Sequence, residues 1–252
     1  MSSPATYFVT GANRGIGRGF VERFLQKPST TVIAAVRDPS HPTFKALADL
    51  PKAPETRLIV VKLDSTVQTD AASAVAELSE QGITSLDVVV ANAGIAQDGS
   101  SVRNTSVANT QKHFDINVIG PLTLFQATAD MLQASKTGSP KFVAISTIVG
   151  SIGSQEIFAT FPRVSSPYGA SKAALNWFIR LLAFEEPWLT SWRFHPGLVE
   201  TDLTSGGNMD LKALGAISVE TSVADMTKII WSMEPKELSG TFRNHDGTML
   251  PW

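Results

Sequence analysis

The chain has 252 residues, 21 of them basic and 23 acidic, and no cysteine; that length suits one α/β core burying most of its apolar surface. The charge balance leaves no basic field for nucleic acid or an anionic membrane. The missing thiols exclude disulfide scaffolds, thiolate metal sites and cysteine nucleophiles, and the four histidines show no metal-ligand spacing.

Read in chain order, the opening MSSPATYFVTGANRGIG enters a strand-like run at once and lacks the basic-then-apolar pattern of an export signal. No apolar run of about eighteen residues follows to span a bilayer. An intracellular, cytoplasmic protein is expected. Strands are predicted at TYFVT (6–10), TVIAAV (31–36), LIVVKL (58–63), LDVVVA (86–91), KFVAIS (141–146) and SWRFHP (191–196). Most are nearly continuous in Val, Ile, Leu and Ala, as strands buried on both faces of a parallel sheet must be. Helix-period stretches lie between them, such as RGIGRGFVERFLQ (14–26) and TVQTDAASAVAELSEQG (66–82). For the second, Ser65 with Gln68 predicts a capping box and Gly82 the end. Strand–helix alternation with right-handed crossovers implies one doubly wound Rossmann domain over 1–252, a parallel sheet of about seven strands with helices on both faces.

After the first strand, Gly11, Gly15 and Gly17 form a turn that also holds Asn13, Arg14 and Ile16, and a helix follows. Such a turn lets the backbone approach a pyrophosphate, which the free N–H groups of the helix start then hold. At the end of the second strand an NAD site wants a carboxylate and an NADP site an arginine. The sequence there is VRDP, so Arg37 precedes Asp38. Arg37 and Arg14 can bracket a 2′-phosphate; the plainer reading makes Arg37 and Asp38 a solvated charge pair. NADP(H) is the preferred cofactor.

In SSPYGASKAALN (165–176), Ser165 or Ser166 can cap a helix whose first position is Pro167. Tyr168 and Lys172 then share a face one turn apart. A free phenol titrates near about 10, and a neighbouring ammonium is expected to pull it down toward the working range. A tyrosine with a lysine at i+4 also occurs by accident, so the pair gains meaning from its surroundings.

Those surroundings are ordered. The glycine loop, ANAG (91–94), DINVIGP (115–121), ISTIVG (145–150), YGASK (168–172) and HPGLVETDL (195–203) follow one another along the chain. Together they resemble the short-chain dehydrogenase/reductase family across essentially the whole length, and most the carbonyl-reductase branch that includes fungal norsolorinic-acid ketoreductases. The resemblance implies that Tyr168 protonates a carbonyl oxygen as hydride reaches carbon, or takes the alcohol proton in reverse. It implies that Lys172 tunes that phenol and holds the nicotinamide ribose, and that Asn117 organises a helix kink and a water-linked proton path. Asn92, Ala93 and Gly94 would shape the cofactor cleft. Asp64 would meet the adenine amine, although it also stands beside the cap of the next helix. Pro196, Gly197, Val199 and Thr201 would form the loop over the carboxamide and pyrophosphate.

One position departs from the family pattern. The usual substrate-facing serine is replaced by Thr147, with Ser146 before it. Threonine keeps the hydroxyl while its methyl narrows the pocket; Thr147 is the expected catalytic hydroxyl and Ser146 the fallback. Ile157, Phe158 and Phe161 either wall a pocket for a bulky carbonyl compound or belong to the core. A substrate lid is expected at about 202–217, hinged at Gly206–Gly207. The implied enzyme is an NADPH-dependent ketone or aldehyde reductase, a homodimer or homotetramer through two long helices. The alternatives are a catalytically silent NADP(H) sensor or a non-redox lyase or cyclase on the same fold.

Overall fold

A computed structural model describes residues 4–97, 99–158, 166–204 and 210–252. Seven strands form one parallel sheet: β1 (Ala5–Thr10), β2 (Thr30–Val36), β3 (Arg57–Lys62), β4 (Val88–Ala91), β5 (Lys141–Ile145), β6 (Thr190–His195) and β7 (Phe242–Asn244). Their order is β3-β2-β1-β4-β5-β6-β7. The direction of winding reverses between β1 and β4, where Tyr7 pairs with Val88 on one side and Val32 on the other. Such a reversal opens a crevice at the carboxyl ends of the strands.

The apolar runs become strands because both faces are covered. Tyr7, Val9, Val32, Val90 and Val143 pack with Phe20 and Phe24 of α1 (Gly15–Leu25) and Met226 of α7 (Val219–Ser232). Their neighbours Phe8, Ile33, Val89 and Phe142 point the other way. They meet Leu78 of α3 (Asp70–Glu80), Leu124 of α5 (Gly120–Gln133) and Ile179 of α6 (Ser166–Glu185). Truncating fully buried Phe8 to alanine would cost about 3–5 kcal/mol. The remaining helices are α2 (Pro42–Ala48), α4 (Val107–Phe114) and α8 (Pro235–Leu238). No helix among the described residues is long and apolar enough to cross a membrane.

One predicted boundary differs. The expected capping box at Ser65–Gln68 does not form: α3 starts at Asp70, four residues later than the predicted segment. Asp64 instead accepts from Thr66 N–H at 2.9 Å and Thr66 Oγ1 at 2.8 Å, which holds 64–66 in a turn. Gly82 does follow the helix, at φ 78°. The seventh strand, only three residues long, has no predicted counterpart.

Candidate active site

Tyr168, Lys172, Thr147 and Asn117 meet at the carboxyl edge of β4 and β5. Helix α6 starts at Ser166, with Pro167 second and Tyr168 in the first turn; Ser165 lies outside the described residues. Lys172 is buried and donates from Nζ to the Ile145 carbonyl at the end of β5, at 2.7 Å. Gly150, in the turn after Thr147, packs so tightly against α6 that a Cβ would stand 2.7 Å from the Lys172 Cβ. A larger residue there would push the turn off the helix.

The Thr147 hydroxyl stands beside the Tyr168 phenol, and its Oγ1 accepts from Val149 N–H at 3.3 Å. Ser146 is committed elsewhere: its hydroxyl donates to Asn176 Oδ1 at 2.6 Å, and Asn176 donates to the Gly150 carbonyl at 3.2 Å. The geometry therefore separates the two hydroxyls that the sequence left as alternatives.

Burial pushes the Tyr168 phenol up to about 12, with the Thr147 hydrogen bond acting the other way, and burial pulls Lys172 down to about 8. This corrects the expected downward pull of the lysine on the phenol. Lys172 is itself desolvated, points at Ile145 and stands 6.0 Å from the Tyr168 ring centroid. At neutral pH the phenol is fully protonated and the lysine mostly cationic.

Between α4 and α5, Asp115–Ile119 forms a π turn, the kind of bulge common at functional sites. It turns the fully buried Asn117 toward Ile95, whose N–H donates to Oδ1 and whose carbonyl accepts from Nδ2, both at 2.9 Å. Gly94 faces this group: a Cβ there would lie 3.1 Å from Asn117 Oδ1 and 3.6 Å from Lys172 Nζ.

The glycine turn lies beside it. A Cβ on Gly17 would sit 2.2 Å from the Gly11 carbonyl, so only glycine lets α1 start so close to the end of β1. Arg14 precedes α1 without a side-chain cap, and no acid occupies the first helical turn. The N–H groups there thus face the crevice with a positive helix end behind them. Asn13 donates to Thr43 Oγ1 at 3.0 Å, and Ile16 packs on the core. Thr201 covers Gly15, its Cγ2 lying 3.5 Å from where a Cβ would be.

Three residues given no role in the sequence reading complete the cleft. Buried Thr10 accepts from Asn92 N–H and Ala93 N–H at 3.0 Å each, while Asn92 Nδ2 donates to the Thr10 carbonyl at 2.9 Å. Ser171 and Asn176 anchor α6 as described. Their roles appear only across long sequence separations.

The short chain dehydrogenase profile matches residues 5–211. The chain belongs to that family. A norsolorinic acid ketoreductase of Dothistroma septosporum is 42% identical over 100% of this chain and 94% of its own. A short chain dehydrogenase of Penicillium aethiopicum is 39% identical over 99% of this chain and 100% of its own. An NADPH-bound carbonyl reductase from chicken fatty liver superposes with a TM-score of 0.85 at 30% identity, covering 98% of both chains.

In this short-chain dehydrogenase several of the remaining predicted residues hold partners within the chain. Arg37 is exposed at the end of β2, while Asp38 accepts from Ser40 N–H at 2.9 Å and Ser40 Oγ at 2.6 Å, which holds its carboxyl low. Arg14 does not join Arg37 in the chain alone; it pairs with Asp202 at 3.0 Å, both side chains exposed. Asp64 Oδ1 takes both bonds of the Thr66 turn. The Pro196 carbonyl accepts from Ser222 at 2.6 Å, and Gly197 lies against Ile217 and His245. Val199 bridges to Ile217, tying together the two ends of the 200–216 loop. His195 is kept neutral, pulled down to about 4 by burial and by His245. Ile157 is 59% exposed and so is not core; Phe161, the Phe158 side chain and Gly206–Gly207 lie outside the described residues.

Proposed function

We propose that this short-chain dehydrogenase is an NADPH-dependent reductase of a bulky or aromatic, polyketide-like ketone or aldehyde, with Tyr168 as proton donor. The observation that carries this reading is a half-buried, protonated phenol beside the Thr147 hydroxyl, one helical turn from a buried lysine. A proton donor must hold its proton until negative charge develops on the substrate oxygen. A phenol pushed up to about 12 does so throughout the neutral range.

The residues fit a nicotinamide dinucleotide. The close-packed glycine turn and uncapped α1 start supply N–H donors for a pyrophosphate, with Asn13 and Thr201 beside it. Bound there, the cofactor supplies the hydride. Exposed Arg37, with its neighbour Asp38 already held by Ser40, supports a 2′-phosphate over a bare ribose hydroxyl; so does the NADPH named with the chicken reductase.

Within the cleft, Thr147 and Tyr168 hydrogen-bond the substrate carbonyl, and Tyr168 gives its proton to the oxygen as carbon is reduced. Lys172 faces the same oxygen's surroundings with a positive charge, and Asn117 holds the backbone of Ile95 as the cleft floor. The loop ending at Thr201 and Ile217 closes as a lid. The norsolorinic acid ketoreductase name of the relative 42% identical supports a polyketide-like substrate. A second copy of the chain would pack on the outer face of α6, where Trp177 and Phe184 are 60% and 64% exposed, and the cytosol would provide the NADPH.

The test is oxidation of NADPH by the wild type and by Tyr168→Phe across ketones, quinones and aromatic polyketides. Reduction by the wild type alone supports the reading. Equal rates in both remove Tyr168 as the acid, and NADPH binding without turnover points to a silent sensor.

A further inference from the structure

Arg193 in β6 is fully buried, and none of its three guanidinium nitrogens has a hydrogen-bond partner among the described residues. Its guanidinium carbon lies 3.4 Å from the centroid of the Trp252 ring and 5.5 Å from that of Phe242. Arg180 of α6 stands 5.0 Å from the same Trp252 ring and is itself fixed by donating to the Gly240 carbonyl at 2.7 Å. Aromatic faces attract guanidinium groups most strongly where water is excluded. The Trp252 ring, itself 41% exposed, therefore covers buried Arg193 on one side and meets exposed Arg180 of α6 on the other.

The main chain of the same segment is used on the other side. It returns along β7, with Leu250 N–H donating to the Phe242 carbonyl at 2.8 Å. The Trp252 carbonyl then accepts from Gly153 N–H, and the Pro251 carbonyl accepts from buried Ser151 Oγ at 2.8 Å. The fit is close: a Cβ on Gly153 would stand 2.9 Å from the Trp252 oxygen and 3.2 Å from the Pro251 Cβ. Ser154 N–H in turn donates to Ser151 Oγ at 3.1 Å. Residues 151–154 continue directly from the turn that begins at Thr147, where Gly150 N–H donates to the Thr147 carbonyl at 3.0 Å.

We infer that Trp252, seated on Arg193, is a positioning residue that braces residues 151–154 and so sets how the cleft accepts a bulky carbonyl substrate. The inference rests on the reductase reading above. The brace acts on the start of the segment leading from Thr147 to Tyr168, whose described part carries the exposed Ile152 and Ile157. Thr147 itself keeps its bond to Val149, so the chemical step does not depend on the brace.

Trp252→Ala tests this against Trp252→Phe, which keeps an aromatic face for Arg193. The expected result for Trp252→Ala is about a tenfold rise in KM for a bulky aromatic ketone, with kcat and NADPH affinity unchanged. Backbone amide exchange at Gly153 and Ser154 should quicken by about tenfold or more, and Trp252→Phe should restore both. If Trp252→Ala fails to fold, Gly153→Ala, which drives a methyl against the Trp252 carbonyl, should give the same KM and exchange changes. Unchanged exchange and KM in the variants overturn the inference, as does a parallel loss of NADPH affinity and kcat. A wild type that binds NADPH and reduces no carbonyl compound overturns the functional reading instead, and the exchange measurement then still decides whether Trp252 braces the segment.

Discussion

Asn117 Nδ2 donates to Ser171 Oγ at 3.0 Å across 54 positions of sequence. Ser171 Oγ in turn donates to the Tyr168 carbonyl at 2.7 Å. The π turn between α4 and α5 is thereby tied to the first turn of α6, which carries both Tyr168 and Lys172. Asn117→Ala removes this tie and leaves the Ile95 N–H and carbonyl without their partners. Destabilisation of about 2–4 kcal/mol is expected, readable by urea unfolding. Ser171→Ala, which removes both links through that hydroxyl but leaves Ile95 paired with Asn117, should lose about half as much.

Tyr168→Phe keeps the ring and removes the proton. Carbonyl reduction should fall by about 10²–10⁴-fold in kcat, while NADPH affinity, measured by fluorescence titration, stays at the wild-type value. A coincident loss of NADPH binding would mean that the phenol holds the cofactor rather than serving the substrate.

Thr147 separates size from chemistry. Thr147→Ser keeps the hydroxyl and should keep most activity. Thr147→Val matches the shape without a donor, and kcat/KM should fall by about 10–100-fold, the range of one lost transition-state hydrogen bond. Ser146→Ala is expected to act on stability through Asn176 and not on the chemical step.

The pH dependence follows from two opposite shifts. Lys172 releases its proton at about 8 when folded, against an ordinary 10.5. Between those values the unfolded chain binds the extra proton, so this lysine makes folding stability rise with pH. The phenol moves from 10.0 to about 12, so from 10 to 12 the unfolded chain has already lost its proton, and Tyr168 makes stability fall. Lys172→Met should abolish the rise between pH 8 and 10.5 in thermal unfolding. It should also stabilise the neutral-pH fold by about 1–2 kcal/mol by removing a desolvated charge. Its reductase activity should be lost at every pH. In the wild type, ketone reduction should decline above pH 8, as Lys172 becomes neutral.

Arg37→Ala addresses the cofactor. NADPH affinity should drop about 10–100-fold, one charge-assisted pair to a phosphate, with NADH affinity unaffected. Equal losses for both would remove Arg37 from phosphate recognition.

The apolar runs at 6–10, 31–36, 86–91 and 141–146 were enough to locate four central strands, because a strand covered on both faces needs nothing but short-range apolar continuity. Gly11, Gly15 and Gly17 marked the turn between β1 and α1 for an equally local reason: crowded backbone at Gly11 and Gly17 and a left-handed φ at Gly11 and Gly15. Tyr168 and Lys172 were legible from helix periodicity and the order of motifs around them. What tertiary structure alone decided involves partners far apart in the chain. β7 is three residues long and exists because β6 offers it an edge. Thr10 clasps Asn92 and Ala93, Ser146 is claimed by Asn176, Arg14 is drawn to Asp202, and Trp252 rests on Arg193. Composition and spacing specify which groups a chain carries. Long-range packing specifies which of them are already hydrogen-bonded, how far water is excluded, and therefore which hydroxyl and which proton remain for chemistry.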